Sequence, residues 1–107
     1  MDQIARISRM ERNLNNVTAA VQTLSAAAEN YIHIQGQLQE LSDYYGSPQW
    51  FRDYDDDSAG KLPEGLIRGV LSEDGIYNML TDHASVIAML RQILESEQTR
   101  EGNYREL

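Results

Sequence analysis

Cysteine is absent from this chain of 107 residues. Without cysteine the protein has no disulfide framework and no thiolate ligands for a structural metal ion. A cysteine-free sequence is typical of proteins that fold in a reducing compartment, so we expect an intracellular, cytoplasmic protein.

Long apolar runs are also absent. No stretch approaches the roughly 18 consecutive apolar residues that a membrane-spanning helix requires. The opening residues, MDQIARISRMER, lack the apolar core of a signal peptide. The sequence therefore predicts no membrane association.

Basic residues are few: nine Lys and Arg stand against 17 Asp and Glu, giving a net charge of −8. Residues 53–75 contain seven acids and two bases, so most of the negative charge lies in this one segment. Nucleic-acid binding depends on a basic surface, and we therefore expect no direct binding of DNA or RNA. An acidic segment instead favours a basic protein as partner.

Proline occurs only twice, and neither proline lies in the first 45 residues. There the apolar residues are spaced alternately three and four apart, as in a helix with a narrow coiled-coil seam. We predict a long helix over about residues 2–45, with a local irregularity of the seam between Tyr31 and Gly36. We assign an oligomer interface to the seam residues Ile7, Met10, Leu14, Val17, Val21 and Leu24.

A second amphipathic helix is predicted over about residues 73–97, with Ser72 capping its first amides. It is too short to cover the first helix, because about 25 residues span only roughly 37 Å at 1.5 Å per residue. The uncovered seam would then pair with a second copy of the chain, which predicts an elongated homodimer.

The segment between the helices, residues 46–72, is predicted to be an ordered connector with short helices. Gly46 ends the first helix, and Ser47 with Pro48 begins a short new one. The fold class is therefore all-α, with one domain over residues 1–97, an antiparallel C-terminal helix and a frayed, disordered tail over residues 98–107.

The connector carries a pattern that extends into the last helix: Tyr45-Gly46, Trp50, Asp53-Tyr54, the run GKLP over residues 60–63 and the run RGVLSEDGIY over residues 68–77. This pattern resembles a family of small bacterial and phage proteins catalogued as a domain of unknown function, number 4298. The resemblance implies a helical fold and brings no activity, cofactor or catalytic residue.

Aromatic and charged residues concentrate in the connector, where they could form a recognition patch, since Trp, Tyr and Arg dominate binding hot spots. The candidate partner-binding residues are Tyr45, Trp50, Arg52, Asp53, Tyr54, Asp55, Asp56, Asp57, Lys61 and Arg68. The alternative is structural: Trp50 and Phe51 would pack against Val70 and Leu71 as a small core that orders the connector. We favour this structural interpretation.

Asp53, Asp55, Asp57 and Glu64 match positions 1, 3, 5 and 12 of a calcium-binding loop. The match fails at Ser58, where such a loop needs glycine, so we favour a solvated acidic loop and expect no metal site. No histidine pair or phosphate-binding loop is present, and we expect no cofactor and no enzyme activity.

Two functions remain open from the sequence. The first is a non-enzymatic protein interaction or adaptor protein that acts as a helical oligomer. The second is an acidic, phage-associated inhibitor that blocks a host or defence enzyme through the connector, for example as a mimic of nucleic acid.

Overall fold

The structure, a computed structural model, describes the backbone of residues 2–105 and the side chains of residues 2–101. Within these residues it contains four α-helices, one 3₁₀ helix and no strand. The helices are α1 (Asp2–His33), α2 (Gln35–Tyr44), α3 (Pro48–Ser58) and α4 (Gly75–Arg105), and the 3₁₀ helix is Gly69–Leu71. The predicted all-α fold, with a long N-terminal helix, a connector and a C-terminal helix, is confirmed.

Two compact units divide the chain after Gln39, and each is described by itself. The prediction of one helical domain over residues 1–97 stays a prediction. The first unit contains α1 and the start of α2. No residue of α1 is buried.

The predicted helix over residues 2–45 is interrupted at Ile34, within the stretch where the seam is irregular. The amide of Ile34 still donates to the Asn30 carbonyl at 3.1 Å, so the helical hydrogen bonds continue up to the interruption. The carbonyl of Tyr31 accepts a hydrogen bond from the side-chain amide of Gln35 at 3.0 Å. The amide of Leu38 in turn donates to the Ile34 carbonyl at 3.0 Å, so backbone hydrogen bonds lie on both sides of the break between α1 and α2.

Capping residues set the boundary between α2 and α3 as the sequence predicts. Gly46 has a φ of 78°, a left-handed conformation that glycine adopts without strain. The hydroxyl oxygen of Ser47 accepts a hydrogen bond from the amide of Trp50 at 3.2 Å, and Pro48 is the first residue of α3. These contacts fix the start of α3 and hence the position of Trp50.

α3 ends in a Schellman motif. The amide of Gly60 donates to the Asp57 carbonyl at 3.0 Å, and the amide of Lys61 donates to the Asp56 carbonyl at 2.9 Å. Gly60 has a φ of 72°, which this motif requires at its left-handed position. The aspartate run is consequently helical through Ser58, and the prediction of a solvated loop there is wrong.

The second unit has its buried residues where α3, the 3₁₀ helix and the start of α4 meet. Trp50, Leu71 and Ile76 are the buried hydrophobic residues among the described side chains. Ser72 caps α4, because its hydroxyl oxygen accepts from the amide of Gly75 at 3.0 Å. The same hydroxyl donates to the Gly69 carbonyl at 2.8 Å, so one side chain joins the 3₁₀ helix to α4.

Gly75 allows this close approach, and its replacement by alanine should destabilise the protein. An added Cβ would lie 2.5 Å from the Gly69 carbonyl oxygen and 2.7 Å from the Ser72 Oγ. We expect Gly75→Ala to lower the free energy of unfolding by about 1–3 kcal/mol in urea denaturation, as other overpacking substitutions do. Gly65→Ala is the matched control, because nothing lies within 4 Å of the added methyl group there. Equal stability of the two variants would contradict the prediction.

α4 is longer than predicted and extends past Glu97 to Arg105. Residues beyond Glu97 lack apolar periodicity, but local contacts support an exposed helix: Arg100 lies 3.5 Å from the Glu97 carboxylate, one turn away. Of the tail that we predicted to be disordered, residues 106–107 lie outside the described residues. In the described part of the chain, none of the helices has the length and apolar character needed to cross a membrane.

Candidate interaction site

Trp50 is the centre of the connector, and its side chain is 7% exposed. Its ring stacks on Tyr54 at a centroid distance of 5.4 Å and an interplanar angle of 23°. Tyr45 and Phe51 contact the ring edge to face at 5.4 and 5.1 Å. Aromatic pairs at these distances and angles are favourable, so the four rings form one cluster.

The indole nitrogen ties this cluster to the 3₁₀ helix. Trp50 Nε1 donates a hydrogen bond to the Val70 carbonyl at 2.9 Å, across 20 residues of sequence. A buried indole N–H needs such a partner. The structure thus agrees with the predicted packing of Trp50 against the 3₁₀ segment, but not with that of Phe51, which is 54% exposed.

Tyr44 and Asp53 link the end of α2 to α3. The Tyr44 hydroxyl donates to Asp53 Oδ2 at 2.6 Å. Burial raises the pKa of Tyr44 to about 12, and the hydrogen bond to Asp53 and its negative charge act in the same direction. The hydroxyl therefore stays a hydrogen-bond donor throughout the physiological pH range.

Arg68 closes the loop between α3 and the 3₁₀ helix. Its guanidinium pairs with the Asp57 carboxylate and donates to the Pro63 carbonyl at 2.6 Å and to the Leu66 carbonyl at 3.2 Å. The fork of donors on an arginine suits several acceptors at once. Through these contacts, Arg68 and Asp57 stabilise the loop.

The remaining acidic residues differ in their surroundings. Asp56 forms a looser ion pair with Lys61 at 3.9 Å. The exposed acidic residues of the connector and the start of α4 are Asp55, Glu64, Glu73 and Asp74.

The ten residues of the predicted recognition patch differ in their surroundings, and the patch stays a prediction. Trp50 is buried, Asp53 accepts a hydrogen bond from Tyr44, and Asp57 pairs with Arg68. These side chains form contacts within the connector that stabilise it.

Other predicted patch residues have accessible surface, and the exposed Asp55 is one of them. Arg52 and Lys61 are exposed, and Tyr45 is half-buried against Trp50. Tyr54 is likewise half-buried, by stacking on the indole. Tyr44 belongs to the same run of aromatic residues, but no local pattern predicts its bond to Asp53, because the aspartate lies beyond the turn at Gly46.

The calcium-loop alternative is not supported by the geometry. Asp53, Asp55 and Asp57 lie on a helix, so their side chains do not wrap around one point as a calcium loop requires. Asp53 and Asp57 are moreover bonded to Tyr44 and Arg68. Among the described residues, no group of three or more His, Asp or Glu side chains is arranged to hold a metal ion.

The predicted seam of α1 forms a second candidate site, an exposed apolar face. Ile7, Met10, Leu14, Val17, Val21 and Leu24 are each between 49% and 61% exposed. All six lie on one helix of 32 residues that buries none of its side chains. Such a face within a single copy of the chain is suited to docking against another helix.

Comparison with known proteins gives the family. The family model described as a domain of unknown function, DUF4298, matches residues 7–93, which extend from the seam of α1 through the connector into α4. Comparisons with curated proteins and with solved structures found no match. The matched region covers most of the chain, and the protein therefore belongs to the DUF4298 family.

Proposed function

We propose that this protein is a non-enzymatic protein interaction or adaptor protein that self-associates as a homodimer through α1. The observation that carries this proposal is the apolar seam of α1, whose six large side chains are about half exposed or more. The connector supports it less, because its aromatic cluster and three of its charged side chains are engaged internally.

Physical chemistry favours a partner for this seam. Helices in proteins gain most of their stability by packing an apolar face, and α1 buries no residue. The heptad spacing of its seam is the spacing that places successive apolar side chains into a facing helix. A second copy of the chain supplies such a helix in a closed, two-fold arrangement.

The mass of the protein in solution tests this proposal. The chain has a mass of 12.2 kDa, so light scattering at tens of micromolar should give about twice that value. The mass should fall on dilution as the dimer dissociates. A mass of one chain at every concentration would contradict the proposed self-association.

An acidic inhibitor is the second candidate, and the exposed carboxylates of Asp55, Glu64, Glu73 and Asp74 favour it. Neutralising these four residues with Asn or Gln should abolish binding of a basic target enzyme captured by the wild-type protein. This set is preferable to the whole aspartate run, because Asp56 and Asp57 form ion pairs within the fold.

Asp82→Asn with Glu95→Gln is a matched control, since both residues are exposed on α4 outside the connector. The control should bind the target as the wild type does. Retained binding by the fourfold variant would rule out the acidic surface as the inhibitory site.

A further inference from the structure

We infer that two copies of α1 pair antiparallel, with the two-fold axis at the level of Ala19. This inference rests on the proposed self-association. The spacing of the seam continues past Leu24 to Ala28 and Tyr31. The eight residues from Ile7 to Tyr31 are spaced 3, 4, 3, 4, 3, 4 and 3 apart, and this order is the same in both directions along the helix. Because the spacing is symmetric about Ala19, the seam of one copy can pack against the seam of an antiparallel second copy.

The antiparallel arrangement pairs apolar residues at every level of the exposed seam. Val17 meets Val21 of the second copy, and Leu14 meets Leu24 of the second copy. Four residues further out, Met10 meets Ala28 of the second copy. All of these residues are exposed in α1, and the two-fold axis repeats each contact.

Side-chain volumes favour this orientation over a parallel one. A parallel pair stacks each seam residue on its own copy, so that Ala28 would face Ala28 and leave a gap. The antiparallel pair places the long, adaptable Met10 against Ala28. Alternating large and small residues across an interface fills it evenly, which an Ala–Ala layer does not.

Two isolated isoleucines beside the seam fix the register. Ile4 and Ile32 are 72% and 71% exposed, more than each of the six seam residues from Ile7 to Leu24. When Ile7 is assigned to heptad position a, both isoleucines occupy position e. In an antiparallel pair, the e positions of the two helices face each other. With the axis at Ala19, Ile4 lies beside Ile32 of the second copy. If the two-fold axis were shifted by half a heptad, Ile4 and Ile32 of the two copies would no longer be adjacent, and both side chains would stay exposed to water.

The distribution of charge along α1 also favours the antiparallel orientation. Arg6, Arg9 and Arg12 lie near one end of α1, and Glu29 lies near the other. A parallel pair would collect six arginines at one end, against four acidic residues, Asp2 and Glu11 of each copy. In the antiparallel pair the two Arg9 residues are about 30 Å apart along the axis, and each lies level with Glu29 of the second copy. That distance exceeds the screening length of roughly 8 Å at physiological salt, so repulsion between the arginine clusters is removed.

The apolar area is sufficient for a specific dimer. The six seam residues with Ile4 and Ile32 give eight large side chains per copy, each exposing on the order of 80 Å². Two copies together can bury about 1,300 Å², which lies at the lower end of the range of about 1,200–2,000 Å² for specific interfaces.

Distances between spin labels test the orientation, and the cysteine-free chain allows labels at single sites. Ser8→Cys and Gln22→Cys place a label at the same, outward heptad position, and both residues are exposed. The axial separation within the dimer should be about 33 Å for position 8 and about 9 Å for position 22 at 1.5 Å per residue. Pulsed electron paramagnetic resonance should therefore show a much longer distance for the first variant.

The results distinguish the inferred antiparallel geometry from the proposed self-association. Equal, short distances at both positions would show a parallel pair. Nearly equal distances that both exceed those of a parallel pair, with axial separations of about 20 Å, would show an antiparallel pair whose axis lies one half-heptad towards the N-terminus. Either result overturns the inferred geometry and leaves self-association standing. Absence of dipolar coupling, with the mass of one chain for both variants, would overturn self-association itself.

A charge pair at the isoleucines gives an independent measurement. Ile4→Glu with Ile32→Lys places opposite charges beside each other in the antiparallel dimer, whereas Ile4→Glu with Ile32→Glu places like charges there. We expect the first double variant to dimerise several-fold more tightly than the second at low salt, with the difference reduced by roughly 1 M salt. Equal dissociation constants would overturn the register.

Discussion

Replacing Trp50 with alanine is expected to lower the free energy of unfolding by about 3–5 kcal/mol, the range found for other buried aromatic side chains. The side chain is 7% exposed, contacts three aromatic rings and donates its indole N–H to the Val70 carbonyl. Its removal opens a cavity and releases the 3₁₀ helix from α3. Urea denaturation followed by far-ultraviolet circular dichroism measures the loss.

Phe51→Ala is the matched control for this prediction, because Phe51 belongs to the same cluster but is largely exposed. The substitution should lower the free energy of unfolding by about 1 kcal/mol, because Phe51 buries less area than Trp50. Wild-type tryptophan fluorescence should be blue-shifted and resist acrylamide. Emission typical of free tryptophan, or equal costs for the two variants, would contradict the role of Trp50 as the core of the connector.

Introducing two aspartates into the seam, Leu14→Asp with Val21→Asp, is expected to convert the dimer into a monomer. In the inferred pair, the layer that contains residue 14 of one copy is adjacent to the layer that contains residue 21 of the second copy. The two-fold axis repeats this arrangement, so the substitutions bring four carboxylates into the interface. A carboxylate without a partner is strongly disfavoured in an apolar contact. The mass from light scattering should fall to about that of one chain.

Asn16→Asp with Gln22→Asp adds the same charge to exposed positions of α1 outside the seam. This control should keep the mass of the wild type, which separates the seam from a general effect of negative charge. A dimeric mass for the seam variant would place the contact elsewhere on the chain.

Local signals allowed much of the fold to be predicted. Gly46, Ser47 and Pro48 specify the end of one helix and the start of the next through their own backbone preferences, and the structure has both boundaries there. Ser72 was likewise recognisable as a cap. The seam of α1 follows from spacing alone. These features depend on residues that are neighbours in sequence, which is why they can be read without a structure.

Contacts between distant residues could not be predicted in this way. The run from Asp53 to Asp57 has the composition of a solvated loop, and its helical state depends on Gly60 and on ion pairs with Lys61 and Arg68. The bond from Tyr44 to Asp53 crosses a turn, and that from Trp50 to Val70 spans 20 residues. Such partners are selected by tertiary packing, which overrides local preference.

The contacts of Arg68 restrict which amino acids can replace it. Lysine would keep the positive charge, but its single ammonium group cannot reach the Asp57 carboxylate and the carbonyls of Pro63 and Leu66 from one place. A neutral residue of similar length would leave Asp57 without its counter-ion. Drift in the sequence of this protein should therefore spare residue 68 unless residue 57 changes with it, while the exposed positions of the same loop are free to vary.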